Sequence, residues 1–356
     1  MPVQMNLVEK LVWNDLNLAP GIVSDYFTGM AFRVAELAIK MGIFEVLDSN
    51  IPLTALEVAE KIKAGPRGTY LMLEALDALK YVKKATNNSY TNTKLTSKWL
   101  VESSPHSIHR GVKLFKHLLF DRLESLEETI RNDHPADTIW EWLNKFPDGW
   151  EFFQEGMMFG AKLAADELLC HLKFPAKATP HRLLDVGGGH GIYSVKACLK
   201  HAHVEGTIFD WPNSVAIGKK IVGANQLLQK IHFIEGDFEK DTWPSGFDTV
   251  FLFSIIHGYL EEGNTTLFRK IYCSLNSEGR VVILDLMVDT PYGTFNKTIA
   301  KLMGLTLFND VAGETHSFEH VKAWLQNAGF ECIKKRKLLK SPYTMIVASK
   351  GKKGQS

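Results

Sequence analysis

The chain has 356 residues, 45% of them hydrophobic, which is too long for one ordinary domain and ample for two cores. With 41 basic residues against 40 acidic, no global field favours nucleic acid or an anionic membrane, and a small-molecule substrate is expected. Cys170, Cys198, Cys273 and Cys332 stand far apart with no C-x-x-C pairing, which reads as reduced thiols of a cytoplasmic protein and argues against disulfides or zinc. No stretch approaches the ~18 apolar residues of a membrane span, and Glu9, Lys10 and Asp15 break the apolar run of an export signal.

Residues 1–105 read as a compact helical unit. Met30, Val34, Leu37, Ala38, Met41 and Phe44 recur at helical spacing. Thr54 with Glu57 forms a capping box before Val58, Ala59 and Ile62, and Gly65-Pro66 breaks the chain before Tyr70, Leu71, Leu73, Leu76 and Leu79. Residues 81–84, the turn Asn87-Asn88-Ser89 and Tyr90-Thr91 then predict a short hairpin and a winged-helix outline. A DNA-recognition helix exposes Arg, Lys, Asn or Gln; this one offers Leu, Met, Glu and Asp, so packing in a dimer or over a substrate is the better reading.

Residues 106–175 are aromatic-rich and helical, a connector and substrate cap in which Phe153, Met157 and Phe159 are the candidates to face a pocket. From residue 176 to 350 short β runs alternate with helical stretches, the pattern of a parallel sheet with crossover helices. Strands are expected at 182–186, 206–209, 231–235, 249–254 and 280–286, and helices at 192–200, 214–224 and 266–275. A closing hairpin is expected at 330–337 and 343–349, and a disordered tail at 351–356.

Ligands of open α/β sheets bind at the carboxyl ends of strands, and these ends are strongly polar. The first runs into Asp185-x-Gly187-x-Gly189-x-Gly191, which differs from the G-x-G-x-x-G dinucleotide fingerprint because its glycines alternate and an acid precedes them. Glycine permits positive φ and lets a ligand press on backbone N–H groups; the acid can order the loop or bind an ammonium. A ligand that joins an amino-acid tail to adenosine is S-adenosyl-L-methionine. Asp210, 25 residues past Asp185, stands where an acid takes ribose hydroxyls, with Trp211 beside it for stacking. Asp237 is placed to accept the adenine amino group while Phe238 packs on the ring, and Ser254 completes the cofactor set at the fourth strand end.

At this point the chain resembles the two-domain S-adenosylmethionine-dependent small-molecule O-methyltransferases, a family that includes plant caffeic acid and hydroxyindole enzymes and bacterial antibiotic-tailoring enzymes. The likeness rests on the N-terminal winged-helix part, Leu184-Asp-Val-Gly-Gly-Gly-His-Gly191, Phe209-Asp-Trp-Pro212, Gly236-Asp-Phe238, His257, Val281-Val-Ile-Leu-Asp285 and Gly313-Glu-Thr-His-Ser317 before Ala328-Gly-Phe330. It implies a Rossmann-like, doubly wound class I methyltransferase domain behind an N-terminal winged-helix domain that makes an intertwined homodimer. It also implies that His257 removes the acceptor's proton, with Asp285 in the place of one family glutamate and Glu314 the best candidate for the other. Two departures stand out: His257-Gly258-Tyr259 replaces His-Asp-Trp, and an ungapped count from Ala328 puts Thr315 at the second glutamate position. His316 is a candidate to face the substrate. No cluster of two aspartates and an asparagine occupies the matching places, so no metal is expected.

A histidine suits the reaction. Methyl transfer needs acceptor and methyl aligned within ~3–3.5 Å, and a base with pKa near ~6.5 assists a neutral hydroxyl by roughly 10²–10⁴-fold. Two alternatives remain open: a cofactor-binding enzyme doing C-methylation or a rearrangement, decarboxylation or hydroxylation, and a winged-helix regulator, which would show a cationic helix face.

Overall fold

The computed structural model describes residues 6–12, 16, 20–49, 51–175, 180–289 and 293–351. The chain forms two compact units, Met1–Lys116 and His117–Ser356, so most of the aromatic-rich stretch belongs to the second. Of the tail expected to be disordered, residues 352–356 lie outside the described residues. Among the described residues no helix is long and apolar enough to cross a membrane.

In the first unit the helix Gly21–Lys40 buries Ala31, Ala35 and Ala38 and leaves Tyr26, Phe27 and Met30 exposed. Thr54 caps the helix Ala55–Lys61 through the reciprocal bonds of a capping box with Glu57, and Pro66 opens the helix Pro66–Ala78 at a position where a missing N–H costs nothing. Strands β1 (Leu53–Thr54), β2 (Val82–Lys84) and β3 (Ser89–Asn92) pair antiparallel in the order β1-β3-β2, completing the winged-helix arrangement around Phe44, Val58, Leu73, Leu76 and Tyr90.

The second unit is built on β4 (His181–Val186), β5 (Val204–Asp210), β6 (Ile231–Glu235), β7 (Phe247–Phe253), β8 (Leu275–Asp285), β9 (Phe330–Lys337) and β10 (Thr344–Lys350). Their order is β6-β5-β4-β7-β8-β10-β9, parallel through β8, with β10 antiparallel to both neighbours. Strand β8 begins five residues before the sequence predicts, because Asn276, Ser277 and Glu278 are exposed, turn-like residues at its start and Glu278 has φ +62°. Alternation along the strands sorts the core into two layers. Leu183, Phe251, Phe253, Val282 and Leu284 face the helices Gly149–His171 and Ile192–Lys200, whereas Leu184, Val250, Leu252, Val281 and Ile283 face Phe268, Ile271, Val321 and Trp324. The strand order reverses between β4 and β7, and a crevice at such a switch point is where open sheets bind ligands.

Candidate active site

The turn after β4 is sterically determined. Gly187, Gly189 and Gly191 have φ of +63°, +45° and +70°, a region that penalises any Cβ. Their side-chain positions are also already filled: a Cβ at Gly187 would lie 2.5 Å from Ile255 Cδ1, and one at Gly189 would lie 2.8 Å from Gln154 Nε2. The three N–H groups, expected to cradle a ligand, are spent within the protein, donating to Phe209 O (2.9 Å), Asp210 Oδ2 (2.7 Å) and Gly188 O (2.8 Å). The three N–H groups and the positive-φ glycines thus hold the tight packing of the loop.

Asp185 lies beneath this turn, 1% exposed, and accepts a 2.6 Å hydrogen bond from Ser194 Oγ. Burial pushes its pKa up to about 7 against the pull of Ser194. The Ser194 bond ties the end of β4 to the helix Ile192–Lys200 that follows the turn. Asp210, at the end of β5, accepts from Gly189 N–H on one oxygen and from Trp211 N–H (2.7 Å) on the other. Burial raises it to about 6, opposed by those two N–H groups and the Ser214 hydroxyl. With three donors on about four lone-pair sites, the carboxylate keeps one site for a further donor, such as a hydroxyl of an adenosyl ribose. Gln154 Nε2 donates to Ser214 Oγ (3.0 Å), tying the helix Gly149–His171 to the same acid. Its signal in the sequence is a polar residue on the stripe of Ala161, Ala165 and Leu168, all buried.

Trp211 caps the helix Pro212–Ala224 and lies edge-on to Trp140 (5.2 Å) and Trp150 (5.7 Å), which stack on each other; Phe153 joins this group through an edge contact with Trp140. Asp237 accepts from Glu239 N–H and pairs with Lys240 at 3.0 Å; burial pushes its pKa up, but Lys240 and the neighbouring N–H groups outweigh this and hold it below the usual range. Phe238 packs in the core under the sheet, its Cε1 at 3.6 Å from the Cβ position of Gly187. Ser254 closes β7 with φ +55°, donates its N–H to Leu284 O, and shares a side-chain hydrogen bond with Tyr343. Met157 and Phe159 lie partly buried on the helix Gly149–His171.

His257 sits on a single 3₁₀ turn, Ile256–Gly258, just past β7. Its Nδ1 lies 2.7 Å from Asp285 Oδ1 at the end of β8. A carboxylate accepts, so Nδ1 carries the proton and Nε2 is left as the basic atom, on a side chain still 19% exposed. Asp285 Oδ1 also accepts from Leu286 N–H (2.8 Å), whereas the buried Oδ2 has no hydrogen-bond partner among the described residues. The other two residues expected here are placed differently. Glu314 meets His257 through its backbone, N–H to His257 O at 2.9 Å, while its side chain is 61% exposed, with Oε1 3.5 Å from His316 Nδ1. Thr315 Oγ1 is turned to Ala300 O. His316 does not line a cleft: it is 2% exposed, with Nε2 against the carbonyls of Ile256 and Tyr259. A tight loop at Gly313, where a Cβ would lie 2.9 Å from Gly258 Cα, presses this segment's main chain onto the turn and sends the Glu314 side chain outward.

Comparison with known proteins places this geometry in a family. Residues 122–331 match the O-methyltransferase domain, and residues 24–103 match the O-methyltransferase dimerisation domain. The chain is 27% identical over 317 residues to 3-hydroxy-5-methyl-1-naphthoate 3-O-methyltransferase of Streptomyces sahachiroi, covering 87% of this chain and 89% of that one. It is 25% identical to acetylserotonin O-methyltransferase of Bos taurus, over 89% and 94% of the two chains. Its fold superposes on the crystal structure of human N-acetylserotonin methyltransferase in complex with S-adenosylmethionine with a TM-score of 0.83, at 23% identity, over 98% and 100% of the two chains. With more than half its length matched by the catalytic domain and the N-terminal unit by its companion, the chain belongs to the family of S-adenosylmethionine-dependent O-methyltransferases that carry an N-terminal dimerisation domain.

Proposed function

We propose that this protein methylates a hydroxyl of a small aromatic or conjugated natural product, with His257 as the general base. The observation that carries the reading is the His257–Asp285 pair, set at the same sheet edge as the glycine turn and Asp210. S-adenosylmethionine supplies a methyl group on a sulfonium that is already an activated leaving group. The chain's own part is to hold and align: Asp210 accepts a ribose hydroxyl, and Asp237, Phe238, Trp211 and Ser254 are the remaining candidates around the nucleoside and methionine parts. His257 Nε2 takes the acceptor's proton, and the Asp285 carboxylate stabilises the imidazolium that results. The stretch 106–175 serves as a substrate cap through Phe153, Met157 and Phe159, and the first unit pairs two copies into a homodimer. Reduced thiols at all four cysteines fit a cytoplasmic setting.

The naphthoate and indole enzymes among the relatives guide the choice of acceptors. The purified protein is incubated with S-adenosylmethionine and a panel of hydroxynaphthoates, hydroxyindoles and simple phenols, and products are read by mass for one added CH₂. His257→Ala is expected to lower turnover by roughly 10²–10⁴-fold with unchanged cofactor affinity. Wild-type turnover in that variant removes His257 from the mechanism.

A further inference from the structure

We propose that His316 is a positioning residue that holds the base-bearing turn and the acid-bearing strand end in one register; this rests on reading His257 as the base. One 3₁₀ turn cannot satisfy its own carbonyls. Within this one, Tyr259 N–H reaches Ile256 O only at 3.3 Å. The Ile256 and Tyr259 carbonyls, on either side of His257, are held instead by two buried side chains. Asn264 Nδ2 reaches them at 2.9 and 2.8 Å, and His316 Nε2 at 3.0 and 2.8 Å. Carbonyls only accept, so His316 carries its proton on Nε2 and shares it between them.

The same residue reaches the acid by its main chain. Val288 N–H, three residues beyond Asp285, donates to His316 O at 3.0 Å. The His316 ring is fixed edge-on against Trp324, 4.9 Å between centroids. The approach to the segment is anchored as well, because Asp310 at the end of the helix Gly293–Val311 receives the buried Arg122 Nε at 2.9 Å. His316 thus joins the His257 turn through its side chain and the extension of β8 through its backbone. Partners that orient a reacting group in this way are typically worth about 10–100-fold, since a shift of ~1 Å is enough to lose alignment.

His316→Leu removes the donor and keeps apolar packing against Trp324; His316→Gln restores an N–H at similar reach. In the full-length enzyme loaded with S-adenosylmethionine, His316→Leu is expected to lower kcat about 10–100-fold with cofactor Kd unchanged, and His316→Gln to recover most of it. The low-field NMR signal of the proton between His257 and Asp285 is expected to shift or vanish in the Leu variant and to persist in the Gln variant. In a His257→Ala background, His316→Leu should cost nothing further. If His316→Leu does not fold, His316→Asn, polar but too short to span both carbonyls, takes its place. Equal kcat in the Leu and Gln variants, or an unmoved proton signal in the Leu variant, overturns the proposal. Wild-type turnover in His257→Ala defeats the base reading instead, and the proton signal then decides the positioning claim by itself.

Discussion

Exchanging Asp285 for asparagine separates the charge of the histidine's partner from its geometry. Two donors, His257 Nδ1–H at 2.7 Å and Leu286 N–H at 2.8 Å, converge on Oδ1, whereas Oδ2 is buried without a hydrogen-bond partner among the described residues. An asparagine therefore has one favoured orientation. Its oxygen replaces Oδ1 and keeps both bonds, and its NH₂ group takes the place of Oδ2; the flipped orientation would set a donor against two donors. The histidine keeps its tautomer, and what is lost is the difference between a charge-assisted and a neutral hydrogen bond. Taking about 1.5–3 kcal/mol for the former and about 0.5–1.5 kcal/mol for the latter, the loss is about 1–1.5 kcal/mol. At about 1.4 kcal/mol per decade, kcat is expected to fall roughly 5–12-fold, well short of the loss on removing His257. Single-turnover rates at saturating cofactor, with affinity measured by calorimetry, provide the comparison. A fall of about 10³ or more would mean that the acid handles the proton itself or that the tautomer has changed, and the reasoning from the two Oδ1 donors would be wrong.

Gly189→Ala must carry a Cβ at φ +45° and displace the Gln154 amide from Ser214. The first effect costs about 1–2 kcal/mol and the second about 0.5–1.5 kcal/mol, so the apo protein is expected to melt several degrees lower and to bind cofactor at least tenfold more weakly. An unchanged melting temperature would show that the turn is not packed as described. The pH dependence follows from Asp210, whose folded pKa of about 6 lies above its ordinary value. Its contribution to apo stability is present below the unfolded pKa and is lost as pH rises through about 6, whereas acceptance of a ribose hydroxyl by the ionised form makes cofactor affinity rise over the same window. Calorimetry between pH 5 and 8, with Asp185→Asn as control because Asp185 titrates at about 7, tests this; an affinity flat across pH 6 in both proteins refutes it.

Local chemistry made much of this protein legible in one dimension. The capping box at Thr54 and Glu57, the Pro66 helix start and the β4-to-glycine turn each depend on neighbours within a few residues, and each is found at its predicted place. Asp185 and Asp210 are marked by their position at strand ends, which the parallel αβ pattern supplies without any long-range contact, and His257 by the motif resemblance. Side-chain direction was another matter. Glu314 and His316 are adjacent to the same loop in sequence, yet the Gly313 contact with the His257 turn sends one outward and buries the other. Gln154, Ser194 and Asn264 acquire their parts only when segments 60, 9 and 8 residues apart meet. Helix caps, glycine conformations and apolar alternation are local properties, so periodicity marked the helical unit and the alternation of strands and helices, whereas the doubly wound methyltransferase architecture was what the motif resemblance implied. Which polar atoms pair was decided by the tertiary structure alone, because a buried donor is assigned to whatever acceptor packing brings within about 3 Å.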